Sequence, residues 1–274
     1  MNKRIQIAGV PFDAITYEKV LEEVSGFISQ NKKAYITTPN PEMVLNADRD
    51  KKFANVLNNA NLSIPDGIGI LWASYYLHLP HHKYWMPRFF QLIASLFSVI
   101  FSPKKIRKRL PERVTGSDLF YKIVEQSQEH KWKIYLLGAK TGVAHKAINK
   151  LLTKYPKAIF AGSYAGSPSK DEENDICEMI NHAKPDILFV AYGSPAQELW
   201  IYHNLFKLDT VKLAVGVGGA FDFAAGVVKR APRFMQQIGL EWLWRLIKEP
   251  KRIKRIWNAT FVFIGFIFRT KKEN

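Results

Sequence analysis

Ile64-Pro65-Asp66-Gly67-Ile68-Gly69 follows Asn61-Leu62-Ser63 and precedes the apolar run Ile70-Leu71-Trp72-Ala73. Locally this reads as a short strand, a tight Pro-Asp-Gly turn and a helix. Proline pre-sets the turn, and the two glycines permit positive φ or close backbone approach. The Asp66 carboxylate is thereby placed at the mouth of a strand-to-helix junction, where backbone N–H groups gather and anions bind. In open α/β sheets, ligands sit outside the carboxyl ends of the strands. Taken alone, the stretch is more simply an ordinary turn aspartate or helix cap. The neighbouring segments change that balance.

The same pattern recurs along the chain. Ala34–Thr38 reads as a buried strand ending in Pro39-Asn40-Pro41-Glu42, so Thr38 and Asn40 share the topological position of Asp66. The strand from Trp132 to Leu137 runs into Gly138-Ala139-Lys140-Thr141-Gly142, which opens a helix from Val143. Such a turn can hold a diphosphate, but without the full G-x-G-x-x-G spacing a purely structural turn explains it equally. Asp186 to Tyr192 is an apolar strand leading into Gly193-Ser194-Pro195-Ala196-Gln197-Glu198. Gln197 both donates and accepts hydrogen bonds, which suits a sugar or amide, or it is a helix-start residue facing solvent. Leu213–Val217 is the last strand, followed by Gly218-Gly219-Ala220-Phe221-Asp222. Arg113 precedes a helix capped by Thr115 or Ser117, placed for an anion or simply solvated.

Strands alternating with helices, such as the amphipathic Tyr17–Gln30 and the acidic Ser169–Ala183, predict an α/β fold. The expected architecture is a Rossmann-like, mostly parallel sheet with helices on both faces. Residues 3–10 and 12–16, around Gly9-Val10-Pro11, predict a small N-terminal β-hairpin. The expected core is 1–228, with 75–112 as a basic, apolar insertion or lid, mobile unless docked on lipid. Residues 229–274 read as a basic helical C-terminal appendage, with a helix over 238–246 that Pro250 ends.

Of 274 residues, 47% are apolar, enough to fill a sizeable core. The single Cys177 excludes an intramolecular disulfide and a multi-cysteine metal site, and fits a reducing compartment. Residues 1–10 read as a strand and not as a signal peptide. The net charge of +16 is unevenly placed, with +7 in 83–113, +7 in 229–255 and +2 in 269–273. The remainder is neutral. The first patch adjoins Phe89–Phe101, and the second adjoins Trp257 and Phe261–Phe268. These runs are too short to span a bilayer, which takes about 20 residues. Both read as interfacial segments on an anionic membrane surface; the alternative is a buried helix with a solvated basic end. Neither patch resembles a nucleic-acid module, so no nucleic-acid partner is expected.

Seven segments read together: Thr38-Pro39-Asn40-Pro41-Glu42, Pro65-Asp66-Gly67-Ile68-Gly69, Glu112-Arg113-Val114-Thr115-Gly116, Leu137-Gly138-Ala139, Gly193 to Glu198, Gly216 to Asp222, and Arg230-Ala231-Pro232 with Glu241 to Pro250. In order and spacing they resemble the WecG/TagA/CpsF glycosyltransferase family over nearly the whole chain except 75–110. The resemblance implies an inverting transferase, with no metal or other cofactor, that moves a sugar from a UDP-sugar to a polyprenyl-diphosphate-linked sugar. N-acetylmannosamine is the expected sugar, with its uronic acid or glucose as alternatives. It implies a peripheral protein at the cytoplasmic face of the cell membrane, and it leaves homo-oligomers open.

Carried over by motif, Asp66 would be the general base, and Thr38, Asn40, Arg113 and Gln197 would line the sugar and acceptor pocket. Gly138, Gly193, Gly218, Gly219 and Asp222 would contact UDP. Arg245, Arg252 and Arg255, in the appendage, would close over the site and stabilise the leaving diphosphate. Single displacement needs one base and positive charge at the departing group, and arginine forks bind phosphate oxygens in pairs. Ala196 stands where the family often carries lysine. The competing reading is a non-catalytic polyprenyl-phosphate or membrane-binding module. A nicotinamide-dependent oxidoreductase would need the full glycine fingerprint and an acidic residue about 20 positions on, and neither is present.

Overall fold

The structure, a computed structural model, describes residues 3–232, 235, 241–248, 250 and 253–273. A six-stranded parallel sheet runs in the order β4-β3-β8-β7-β5-β6. Its strands are β3 (Ala34–Thr37), β4 (Leu62–Ser63), β5 (Lys133–Gly138), β6 (Ile159–Tyr164), β7 (Ile187–Ala191) and β8 (Leu213–Gly216). Two-sided burial explains why β7 and β8 are apolar at every position (a half-exposed strand would alternate). Ile187, Phe189, Leu213 and Val215 point to one face. There they meet α1 (Tyr17–Ser29), α7 (Gly116–His130), α8 (Val143–Lys154) and α11 (Ala220–Ala224). Leu188, Val190 and Ala214 point to the other face, against α3 (Lys51–Asn58), α9 (Glu173–Ala183) and α10 (Ala196–Asn204). The doubly covered α/β sheet is the one expected.

Chain direction reverses between β5 and β7: the connection after β5 leads outward to β6, and that after β7 leads back to β8. Such a switch point opens a crevice at the carboxyl ends of the strands. The backbones close up there. A Cβ on Gly138, at φ +103°, would lie 2.8 Å from the Ala191 carbonyl carbon.

The hairpin is present, with a shifted turn. Its strands are β1 (Arg4–Ile7) and β2 (Val10–Asp13), and the turn residues are Ala8 and Gly9 at φ 48° and 79°. A two-residue turn of this hand needs positive φ at both positions, which proline cannot adopt, so Val10 and Pro11 belong to the strand. The hairpin covers the sheet edge: Ser63 N donates to Asp13 Oδ2 at 2.8 Å, and Arg4 pairs with Asp13.

A third apolar cluster lies beyond that edge. It gathers the hairpin, α2 (Pro41–Arg49), α4 (Ile68–Leu77), Leu92, Ile106, Leu110, Phe263 and Ile267. Two expectations change here. Segment 75–112 contains α5 (Trp85–Phe101) and α6 (Pro103–Ile106), and it is docked on protein. Trp72 Nε1 donates to Ser95 Oγ at 3.0 Å, and Arg88 Nη2 donates to the Phe268 carbonyl at 2.9 Å. The final apolar run forms most of the helix Phe263–Glu273, whose Phe263 and Ile267 are fully buried, so this part is core and not lipid-facing. Trp257 and Phe261 remain exposed. The helix expected over 238–246 is described only as Glu241–Lys248; residues 238–240 lie outside the described residues.

Candidate active site

The carboxyl ends of β3, β4, β7 and β8 are tied to one another by backbone and side-chain hydrogen bonds. Asp66 N donates to the Pro39 carbonyl at 3.1 Å, and Val114 N donates to the Pro65 carbonyl at 3.1 Å. The turn bearing Asp66 is thus clamped between the Asn40 segment and the Arg113 segment. Gly67, at φ +108°, gives the chain the bend that starts α4 directly after Asp66. Asp66 and Arg113 are half-buried. Thr38 is buried against Gly116, where a Cβ would come within 2.9 Å of Thr38 Oγ1. Asn40 caps α2, its Oδ1 accepting from Met43 N at 3.0 Å. Thr38, Asn40, Asp66 and Arg113 are therefore brought together by their backbones.

The Gln197 side chain is turned inward, onto protein partners. It is 5% exposed, and its Oε1 accepts from Gly193 N and from Gly218 N, both at 3.1 Å. Its Nε2 donates to Glu198 Oε1 at 2.7 Å. The amide pins together the loops after β7 and β8, and all three of these bonds run within the protein. Gly216 makes room for it, since a Cβ there would lie 2.7 Å from Gln197 Nε2. Glu198 is buried, and burial raises its carboxyl above the ordinary value despite the bond from Gln197. Gly193 and Gly218 have positive φ, and each offers open space where a Cβ would stand. Gly219 is the N-cap of α11, which carries Asp222 in its first turn.

The arginines separate. Arg255 forks onto Glu42, its Nε at 3.0 Å and its Nη2 at 2.7 Å from Oε2. Glu42 lies in the first turn of α2, two residues beyond Asn40. Arg245 belongs to the helix Glu241–Lys248, but its side chain lies outside the described residues, as does the whole of Arg252.

Three groups absent from the sequence reading of the site stand beside it. Tyr17 OH accepts from Thr115 N at 2.8 Å, and Tyr17 N donates to Glu112 Oε2 at 2.8 Å. Burial, then the negative charge of Asp118, then that of Asp66 push the Tyr17 phenol above its ordinary value, keeping it protonated. Arg230 Nη1 donates to Asp118 Oδ1 at 2.5 Å. Burial pushes the Asp118 carboxyl up, but the hydrogen bond and charge of Arg230, with the bond from Thr115, outweigh it and hold it below its ordinary value. Tyr17, Asp118 and Arg230, with Lys150 and Lys154, line a cleft of about 690 Å³ against α7, α8 and α11. Asp66 is not among its lining residues. Of these groups only Arg230 lay in a recognisable motif.

A strand-end site that joins a carboxylate, an amide-pinned pair of glycine loops and a basic C-terminal segment suits transfer of a group from an anionic donor. The model of the glycosyl transferase WecG/TagA/CpsF family matches residues 5–98 and 97–274. The two matched segments meet within α5, so the likeness spans 75–110, which the motifs left out. A protein of Bacillus subtilis (strain 168) is 33% identical over 230 residues, 84% of this chain and 77% of its own. It is named N-acetylglucosaminyldiphosphoundecaprenol N-acetyl-beta-D-mannosaminyltransferase. A Staphylococcus aureus (strain MRSA252) protein of the same name is 28% identical over 272 residues, 98% of this chain and 94% of its own.

Proposed function

Because the chain belongs to the WecG/TagA/CpsF glycosyltransferase family, we propose that it transfers N-acetylmannosamine from a UDP-sugar to N-acetylglucosamine on a polyprenyl diphosphate. The reaction takes place at the cytoplasmic face of the membrane. The observation that carries this reading is the position of Asp66, half-buried at the end of β4 and clamped between the Asn40 and Arg113 segments. The acceptor hydroxyl gives its proton to the Asp66 carboxylate as its oxygen attacks the anomeric carbon of the donor. The bond from that carbon to the UDP oxygen breaks on the opposite side, with inversion.

UDP leaves against the open-faced loops at Gly193, Gly218 and Gly219, with Gly138, at the end of β5, and Asp222 also contacting it. Arg113 supplies positive charge near the reacting centre. Arg245, Arg252 and Arg255 come from the C-terminal segment to the diphosphate, Arg255 by exchanging Glu42 for phosphate oxygens. Thr38 and Asn40 hold the sugar and the acceptor, and Gln197 acts by holding the two glycine loops in register. No described helix is long and apolar enough to cross a membrane.

The test is UDP release from UDP-N-acetylmannosamine with and without a synthetic lipid-diphosphate-N-acetylglucosamine. Acceptor-dependent release is expected, falling at least about 100-fold in Asp66→Asn with UDP affinity retained. A fully active Asp66→Asn enzyme would overturn the base assignment. Absence of both release and UDP binding would overturn the transferase reading.

A further inference from the structure

Helix α5 has two apolar faces, and the described residues cover only one. At about 100° per residue, Arg88, Leu92, Ser95 and Val99 lie on one side, turned to α4 and the C-terminal helix. On the opposite side and its flank stand Phe89, Phe90, Phe97, Ile100 and Phe101, all exposed; Phe90, Ile100 and Phe101 are 67%, 73% and 74% exposed. This outward face carries no charge. The helix's one ionisable residue, Arg88, is buried and stacked on the Phe268 ring. A contiguous exposed apolar face of this kind marks an interaction surface.

Charge selects the occupant. The helix is preceded by Lys83 and followed by exposed Lys104, Lys105, Arg107, Lys108 and Arg109. Buried Ile106 and Leu110 anchor that basic turn to the protein. No Asp or Glu occurs from His78 to Pro111. A second copy would set base against base across a two-fold contact, whereas an anionic bilayer satisfies both the apolar face and its rim.

We propose that the outward face of α5 is an interfacial helix that docks this protein on an anionic lipid surface. The helix, 17 residues long, lies along the membrane plane with its aromatic side chains among the acyl chains and its lysines and arginines at the headgroups. After Phe101 the chain returns through the basic turn to Arg113 and Val114, the latter bonded to Pro65. Docking therefore holds the Asp66 junction close to the lipid surface, whichever sugar is transferred.

The test uses the full chain and vesicles of phosphatidylglycerol with phosphatidylcholine, compared with phosphatidylcholine alone. The wild type is expected to co-sediment with the anionic vesicles. The combined change Phe97→Ser, Ile100→Ser and Phe101→Ser is expected to weaken binding about 100-fold or more. Phe206→Ser, at an exposed phenylalanine elsewhere, is expected to leave binding unchanged. Lys104→Glu with Lys105→Glu and Lys108→Glu is expected to abolish the preference for anionic vesicles. An environment-sensitive fluorophore on Phe97→Cys, selective because Cys177 is buried, is expected to shift to the blue on vesicles. Unchanged vesicle binding in the serine variant, or an unshifted fluorophore, would overturn the proposal. So would a serine variant that changed only the sedimentation of lipid-free protein, since the occupant would then be a second copy. Transfer to a short-chain, water-soluble acceptor reads the catalytic reaction separately and is expected to survive the serine changes.

Discussion

Replacing Gln197 with leucine tests whether the donor side of the site is held by one buried amide. Leucine has nearly the same volume, so the change removes hydrogen bonds without opening a cavity. Three are lost: Oε1 from Gly193 N, Oε1 from Gly218 N, and Nε2 to Glu198 Oε1. At roughly 1 kcal/mol net for each bond, the loss is about 3 kcal/mol. Water reaches the half-buried glycine N–H groups and trims that cost, while Glu198, at 2% exposure, loses a donor that water does not replace. The expected destabilisation is therefore about 2–4 kcal/mol, a large part of a typical total of about 5–15 kcal/mol, read as a lower urea midpoint at unchanged slope. With the loops after β7 and β8 no longer in register, UDP affinity measured by calorimetry is expected to fall about tenfold or more. A destabilisation below about 0.5 kcal/mol would refute the energetic argument. A destabilised variant with wild-type UDP affinity would refute the assignment of these loops to the donor.

Three further outcomes follow from ionisable groups. Glu198 has its carboxyl raised by burial above 4.5, so its charging opposes folding, and stability falls as pH rises past that value; in Glu198→Gln this part of the urea-stability profile is expected to flatten. Asp118 is held below 3.8, so the Arg230 pair stabilises above that pH and is lost on acidification; Asp118→Asn is expected to cost about 1 kcal/mol at neutral pH, discounted because the carboxylate side is 36% exposed, with no further loss on acidification. Lys271 is lowered by burial from 10.5 to about 8 while bonded to the Tyr76 carbonyl and Gln91 Oε1. The unfolded chain therefore binds more protons between about pH 8 and 10, stability rises across that window, and Lys271→Met is expected to remove the rise in pH-dependent thermal unfolding.

Much of the fold was legible because its signals are local. Apolar runs such as Ile187–Ala191, each ended by glycine or proline, mark strands buried on both faces, and the residues just beyond them mark the ligand side of a parallel sheet. Asp66, Thr38, Asn40 and Arg113 were singled out on that logic and on motif order, and the fold brings their backbones together. Other features depend on contacts distant in sequence. Arg230 meets Asp118 across 112 residues. The inward direction of Gln197 depends on the bare backbone of Gly216, so its chemistry alone pointed to a sugar when its partners are two loops. An apolar run carries no record of its neighbours either: Phe263 and Ile267 are buried, while Phe97, Ile100 and Phe101 are exposed. Sequence by itself determined the sheet, its helices, the family and the position of Asp66, because periodicity and turn chemistry act over a few residues. Only the tertiary structure decided which amide is turned inward, which carboxylates are paired and which aromatic face is left exposed, because burial is set by what packs alongside.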